Sequence, residues 1–172
     1  MPRVRTRRHL TTSRQYDPTM MARNEQGVTP MSKLETPMTR WYWHTVSGLL
    51  REEFCLVNRT ATCGGRWVDA LVLPERDTRI AGRSETIDIT PGERAILVQT
   101  KASRLGMYLM GQTLFSAELL RRRYPTALVE SVALCSKDDA VLRPLLEAHT
   151  GCRVVVVPRS VSAAAESPLQ VE

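Results

Sequence analysis

No apolar run in this 172-residue chain approaches the roughly 18 residues that a bilayer-spanning helix needs, and its first residues lack the apolar core of a secretory signal. A cytoplasmic protein with no membrane partner is expected. The four cysteines, Cys55, Cys63, Cys135 and Cys152, are scattered, with no CxxC pair and no histidine at zinc-finger spacing. That argues against a zinc site or a disulfide framework and for free, buried thiols. No glycine-rich phosphate loop follows any strand-like run, which counts against a nucleotide-cradling α/β domain. There is no internal repeat.

What is present is the balance of one globular domain: 42% apolar residues, 24% charged and enough length for a real core. The net charge of +6 is unevenly placed. Residues 1–40 hold eight Lys or Arg against three acids, a net of +5, and the remaining 132 residues carry only +1. The basic excess therefore belongs to the leading segment and is a poor argument for a nucleic-acid-binding domain by itself. Residues 1–38 show no apolar periodicity and are expected to be a basic, disordered segment. Three readings of it stay open: a phosphate-touching tail, an extension upstream of a later start at Met20, Met21 or Met31, and an organelle transit peptide.

Residues 39–158 are expected to form the folded domain, and 159–172 a frayed tail. Over 39–54, Trp43, Val46, Leu50 and Phe54 recur at three- and four-residue steps, predicting an amphipathic helix capped by Thr39. A short strand at "CLVNR", the turn "TCGG" and a strand from Arg66 to Leu73 come next. A long polar connection follows, with a short strand at "TIDI", before a strand from Ala95 to Lys101. A long helix then ends in the basic run Arg121 to Arg123, which suits a helix C-terminus. After it come the strand "ALVESVALC", a helix capped by Ser136 and stopped by Gly151, and the apolar strand "CRVVVVP". The order helix, three strands, helix, strand, helix, strand predicts an α/β fold, αβββαβαβ, with helices on both faces of a mixed sheet. The first strands pair as an antiparallel meander, and the last two join in parallel through helical crossovers.

Two apolar strands carry polar residues that strand propensity does not explain: Asp69 in "RWVDALVLPE", and Gln99 with Lys101 in "RAILVQTKAS". In adjacent strands these side chains would converge. Gln99 and Lys101, two apart, are expected on one face, with Thr100 pointing away and offering its carbonyl. An Asp carboxylate, a Gln oxygen and a backbone carbonyl make an all-oxygen set suited to Mg²⁺ or Mn²⁺. Lys101 would then orient or deprotonate an attacking water, or offset charge on a phosphorane-like transition state.

The element order, with "VDALVL" and "VQTK", resembles the PD-(D/E)XK nuclease superfamily, the restriction-endonuclease-like fold, over roughly residues 40–157 and in a Gln-x-Lys variant. The resemblance implies a Mg²⁺-dependent nuclease, exo or endo, that hydrolyses DNA phosphodiester bonds. It makes Asp69 the metal-bridging acid, puts Gln99 where the second acid usually stands, and makes Lys101 the catalytic lysine. Val68 replaces the proline of the family name. Members often carry a glutamate on the first helix, and Glu52 is taken as that acid in preference to Glu53. Arg104, beyond the lysine strand, and Gln112, on the following helix, are the expected DNA contacts. Trp41, Tyr42 and Trp43 would either stack on bases or fill the core, the latter expected for Trp43. A homodimer or larger complex is the expected assembly for double-strand cutting. A second reading keeps the fold and loses the chemistry, with Gln99 marking the loss, and leaves a nucleic-acid-binding or protein-interaction scaffold.

Overall fold

The computed structural model describes residues 34–161. The basic segment before residue 34 and most of the C-terminal tail lie outside that range. The elements are α1 (Glu35–Val46), β1 (Leu49–Val57), β2 (Arg66–Leu73), β3 (Arg79–Ile80), β4 (Arg94–Arg104), α2 (Met107–Arg123), β5 (Leu128–Lys137), α3 (Leu142–Glu147) and β6 (Cys152–Val156). They build one mixed six-stranded sheet in the order β3-β1-β2-β4-β5-β6. β1, β2 and β4 form the antiparallel meander, and β5 and β6 join β4 in parallel, each after a helix. The architecture is α/β, with helices on both faces, as the alternation of periodicities predicts.

The expected helix over 39–54 is corrected. The helix begins at Glu35, ends at Val46, and gives way to a strand at Leu49. Thr39 is not its cap but lies inside it, fully buried, with its hydroxyl 2.8 Å from that of Thr100 on β4. The break is enforced at Ser47 and Gly48, whose φ values are +66° and +89°. A Cβ on Gly48 would stand 2.3 Å from the Leu73 carbonyl, so only glycine lets the chain turn this close to β2. Trp43 Nε1 donates to the Gly48 carbonyl at 2.8 Å and fastens the corner to the helix.

Two further elements differ from expectation. No strand forms at "TIDI"; Ile87 and Ile89 are buried without ladder bonds, and the edge strand is the two-residue β3, parallel to β1. α3 is shorter than the sequence implies, because Ser136 is still in β5. The helix-opening bonds come from Asp139, whose Oδ1 accepts the N–H groups of Val141 and Leu142 at 3.1 and 3.0 Å.

Each face of the sheet owns a core. Leu50, Val72, Ile96, Val98 and Val132 pack under Met38, Tyr42 and Trp43 of α1. On the other side Leu71, Leu73 and Leu97 meet Ala117 and Leu120 of α2, and Ala133 and Val154 meet Leu109 and Leu146. Each fully buried leucine is worth about 2 kcal/mol of apolar burial, so the two layers clamp the sheet from both sides. Of the four cysteines, all free, Cys135 and Cys152 are buried and Cys55 and Cys63 half-buried.

Candidate active site

The β2–β4 ladder is short. It pairs Ala70 with Val98, Leu71 with Leu97 and Val72 with Ile96, and there it stops. The next residues would be Asp69 and Gln99, and instead of a backbone bond the Asp69 carboxylate crosses the gap: its Oδ2 accepts the Thr100 N–H at 2.6 Å. A carboxylate therefore sits where two neighbouring strands begin to part. Beyond Ala70, β2 stays paired only with β1, as far as Arg66.

Burial raises the Asp69 pKa most strongly. The Thr100 N–H works against that, the Glu35 charge adds to it, the Lys101 charge opposes it, and the Glu53 charge adds again. The net result is a pKa of about 6 in place of 3.8. Three acids thus press on one desolvated spot, with a single ammonium to answer them.

That ammonium is Lys101. Its Nζ lies 2.9 Å from Glu35 Oε1, in the first turn of α1. Burial works against the charged lysine, but the hydrogen bond and charge of Glu35, with the charge of Asp69 behind them, raise its pKa above the ordinary value. A lysine held protonated in this way orients and neutralises; it does not take up a proton. Glu35 gains from its position as well, because a helix N-terminus favours a carboxylate.

The other expected site residues are placed as follows. Gln99 is buried, and its Nε2 donates to Ser116 Oγ of α2 at 3.0 Å. Lys101 Nζ ends at Glu35 of α1, so the tips of Gln99 and Lys101, two apart along β4, bond to different helices. The lysine chain is long enough to reach Glu35, while the shorter amide stays under α2. Thr100 is buried, gives its N–H to Asp69 and shares a hydroxyl–hydroxyl hydrogen bond with Thr39. Glu52 is on β1 rather than on the first helix, and both its oxygens are taken by Arg40 at 2.8 and 3.2 Å. Arg104 closes β4 and donates to the Asp138 carbonyl at 2.6 Å. Gln112 is on α2 and reaches the Tyr108 hydroxyl at 3.4 Å. Tyr42 and Trp43 belong to the core.

The sequence reading missed Glu35, the acid that α1 brings to Lys101. Pro37 was the available signal, since proline belongs in a first helical turn, as does an acid. Glu53 was also passed over. It lies between Glu52 and Phe54, the ladder partners of Ala70 and Val68, with φ +51°, a conformation that turns the strand locally.

Among the described residues no cluster of three or more His, Cys, Asp or Glu is close enough to hold a metal ion. Two carboxylates and backbone oxygens remain, and this suits a cation that keeps most of its waters: Mg²⁺ is commonly bound through one or two carboxylates. The like-charge pressure on Asp69 is also what a divalent cation would relieve. Among the described residues no helix is long and apolar enough to cross a membrane. No protein-family model, no curated protein and no solved structure matches the chain.

Proposed function

We propose that this chain is a metal-dependent nuclease that hydrolyses DNA phosphodiester bonds, on the restriction-endonuclease-like version of the α/β fold, with Asp69, Glu35 and Lys101 as its working side chains. The observation that carries the reading is Asp69: a buried carboxylate at a fork between strands, its pKa raised to about 6, within the field of one lysine and two further acids. A structural carboxylate is ordinarily placed so that its charge is stabilised on balance, whereas here burial and like charges outweigh the Thr100 N–H and Lys101.

Asp69 and Glu35, with the Thr100 carbonyl, would hold Mg²⁺ or Mn²⁺. The ion, when bound, supplies positive charge at the scissile phosphate. Lys101, kept protonated, orients the attacking water and balances the charge that grows on the phosphate oxygens as water adds and the ester P–O bond breaks. Glu35 sets the Lys101 ammonium in place. Arg104 and Gln112, at the end of β4 and on α2, would contact the DNA backbone to either side.

The direct test is cleavage of plasmid, linear duplex and single-stranded DNA with Mg²⁺ or Mn²⁺ by the wild type, Asp69→Ala and Lys101→Ala. Cutting by the wild type that both folded variants lose supports the enzyme. Equal cutting by all three proteins would mean a contaminant and end the proposal.

One observation favours the second reading, an inactive nuclease-fold scaffold. The Gln99 amide is buried against Ser116, and Glu35 and Lys101 satisfy each other. Calorimetric titration with Mn²⁺ separates the two: binding that Asp69→Ala abolishes belongs to the enzyme, and no binding by a folded wild type belongs to the scaffold.

A further inference from the structure

β4 leaves β2 at Val98 while β1 follows β2 to Arg66; Phe54, Leu56 and Val68 of this hairpin stay buried in the core with α2, and its turn end, residues 58–67, forms an exposed arm. Asp69 stands where the β2–β4 ladder ends, its carboxylate bonded across to the Thr100 N–H. Trp67 lies two residues out from Asp69 on the same strand, about 7 Å by strand rise. Its side chain is 39% exposed, whereas Trp43 is 7% exposed. An isolated exposed apolar residue needs no explanation. This one is set apart by its place and its support. A Cβ on Gly65 would stand 3.2 Å from Trp67 Nε1, so the indole lies against the backbone of the turn, braced on one side and open on the other.

The exposed turn segment that carries it is basic, while the acids lie inward at Asp69. From Asn58 to Trp67 the arm holds Arg59 and Arg66, both exposed, and no acid. Cations that track phosphates beside an aromatic ring that takes a base face are the two halves of single-strand recognition. In an intact duplex the base faces are covered by their neighbours, so a ring at this position has nothing to stack on unless a base is unpaired or turned out.

We propose that Trp67 is a specificity-determining residue that stacks on an unpaired base beside the phosphate held at Asp69, so that the site takes single-stranded or locally opened DNA in preference to intact duplex. The inference rests on the nuclease reading only for what is bound at Asp69.

The test is fluorescence anisotropy with the full chain in a chelating buffer, where nothing is cut, using a short labelled single strand and its duplex as probes. The proteins compared are the wild type, Trp67→Ala and Trp67→Phe. Removing the ring should weaken single-strand binding about tenfold or more and change duplex binding by less than about twofold, with phenylalanine restoring most of the loss. Equal single-strand binding by Trp67→Ala and wild type overturns the inference, as does an equal loss on both probes or no single-strand binding by any of the proteins. Cleavage assays with Mg²⁺ on the same proteins keep the two proposals apart. Trp67-dependent binding without cutting removes the nuclease and leaves the stacking residue. Asp69-dependent cutting with Trp67→Ala fully competent in binding and cutting does the reverse.

Discussion

Lys101 Nζ and Glu35 Oε1 stand 2.9 Å apart, joining the far end of β4 to the first turn of α1 across 66 positions of sequence. With the lysine side chain 39% exposed, the pair belongs to the class of ion pairs worth less than about 1 kcal/mol to folding. On the proposed reading, its reach into the field of Asp69 gives the pair a part in the chemistry. Glu35→Gln and Lys101→Met are therefore expected to shift thermal unfolding little and to lower Mg²⁺-dependent cleavage by about a hundredfold or more. Circular dichroism melts beside cleavage rates decide this. Full activity in Glu35→Gln would remove that residue from the site.

Gly48→Ala makes the opposite kind of prediction. The added methyl would stand 2.3 Å from a backbone oxygen, at φ +89°, where an L residue is strained even in open space. A loss of about 3 kcal/mol or more is expected, read from urea unfolding. A midpoint equal to wild type would mean that the corner between α1 and β1 can relax, and that glycine is not what ends the helix there.

The same corner explains where the sequence was legible and where it was not. The strands β2, β4, β5 and β6 and the helix α2 were readable because their apolar runs are long and bounded by turn residues. The antiparallel meander and the parallel addition of the last two strands followed from which connections are short and which contain helices. The stretch 39–54 misled because Trp43, Leu50 and Phe54 are apolar at helical spacing for two unrelated reasons: one faces down from α1, and two face opposite sides of β1. Gly48 was the mark of that change, and it acquires its meaning from Leu73, 25 residues away. The pairing of Asp69 with the Lys101 strand was visible as a pattern of polar residues in apolar strands. The partner Glu35 was not, because its helix start was assigned to the basic leader. That the Gln99 amide ends at Ser116 of α2 and the Lys101 ammonium at Glu35 of α1 depends on partners distant in sequence, which no local pattern encodes.

Gln99 and Ser116 test what the amide is for. The carboxamide is 3% exposed, and the serine hydroxyl takes its N–H at 3.0 Å. Ser116→Ala should strand that buried donor and cost about 1–3 kcal/mol, whereas Gln99→Leu with Ser116→Ala together should cost less than the sum of the single changes. A double-mutant cycle in chemical denaturant measures the difference. Strict additivity would show that the hydrogen bond contributes nothing to stability and that the amide is free to serve a ligand.

Asp69→Asn should separate stability from function most clearly. In the unfolded chain this carboxyl titrates near 3.8, and in the folded protein near 6. Between those values the folded state binds more protons than the unfolded one, so stability falls as pH rises through the window. Above about pH 6 the buried charge costs the fold about 3 kcal/mol. Asparagine removes the charge and can still accept the Thr100 N–H. The variant is therefore expected to melt at a higher temperature than wild type at about pH 8, to lose that advantage near pH 4, and to be inactive at both. Added Mg²⁺ should stabilise the wild type and leave the variant unchanged, since ligand binding raises stability only where the site exists. A variant less stable than wild type at about pH 8 would mean that the Asp69 charge is welcome where it sits, and a carboxylate at ease there is a structural one.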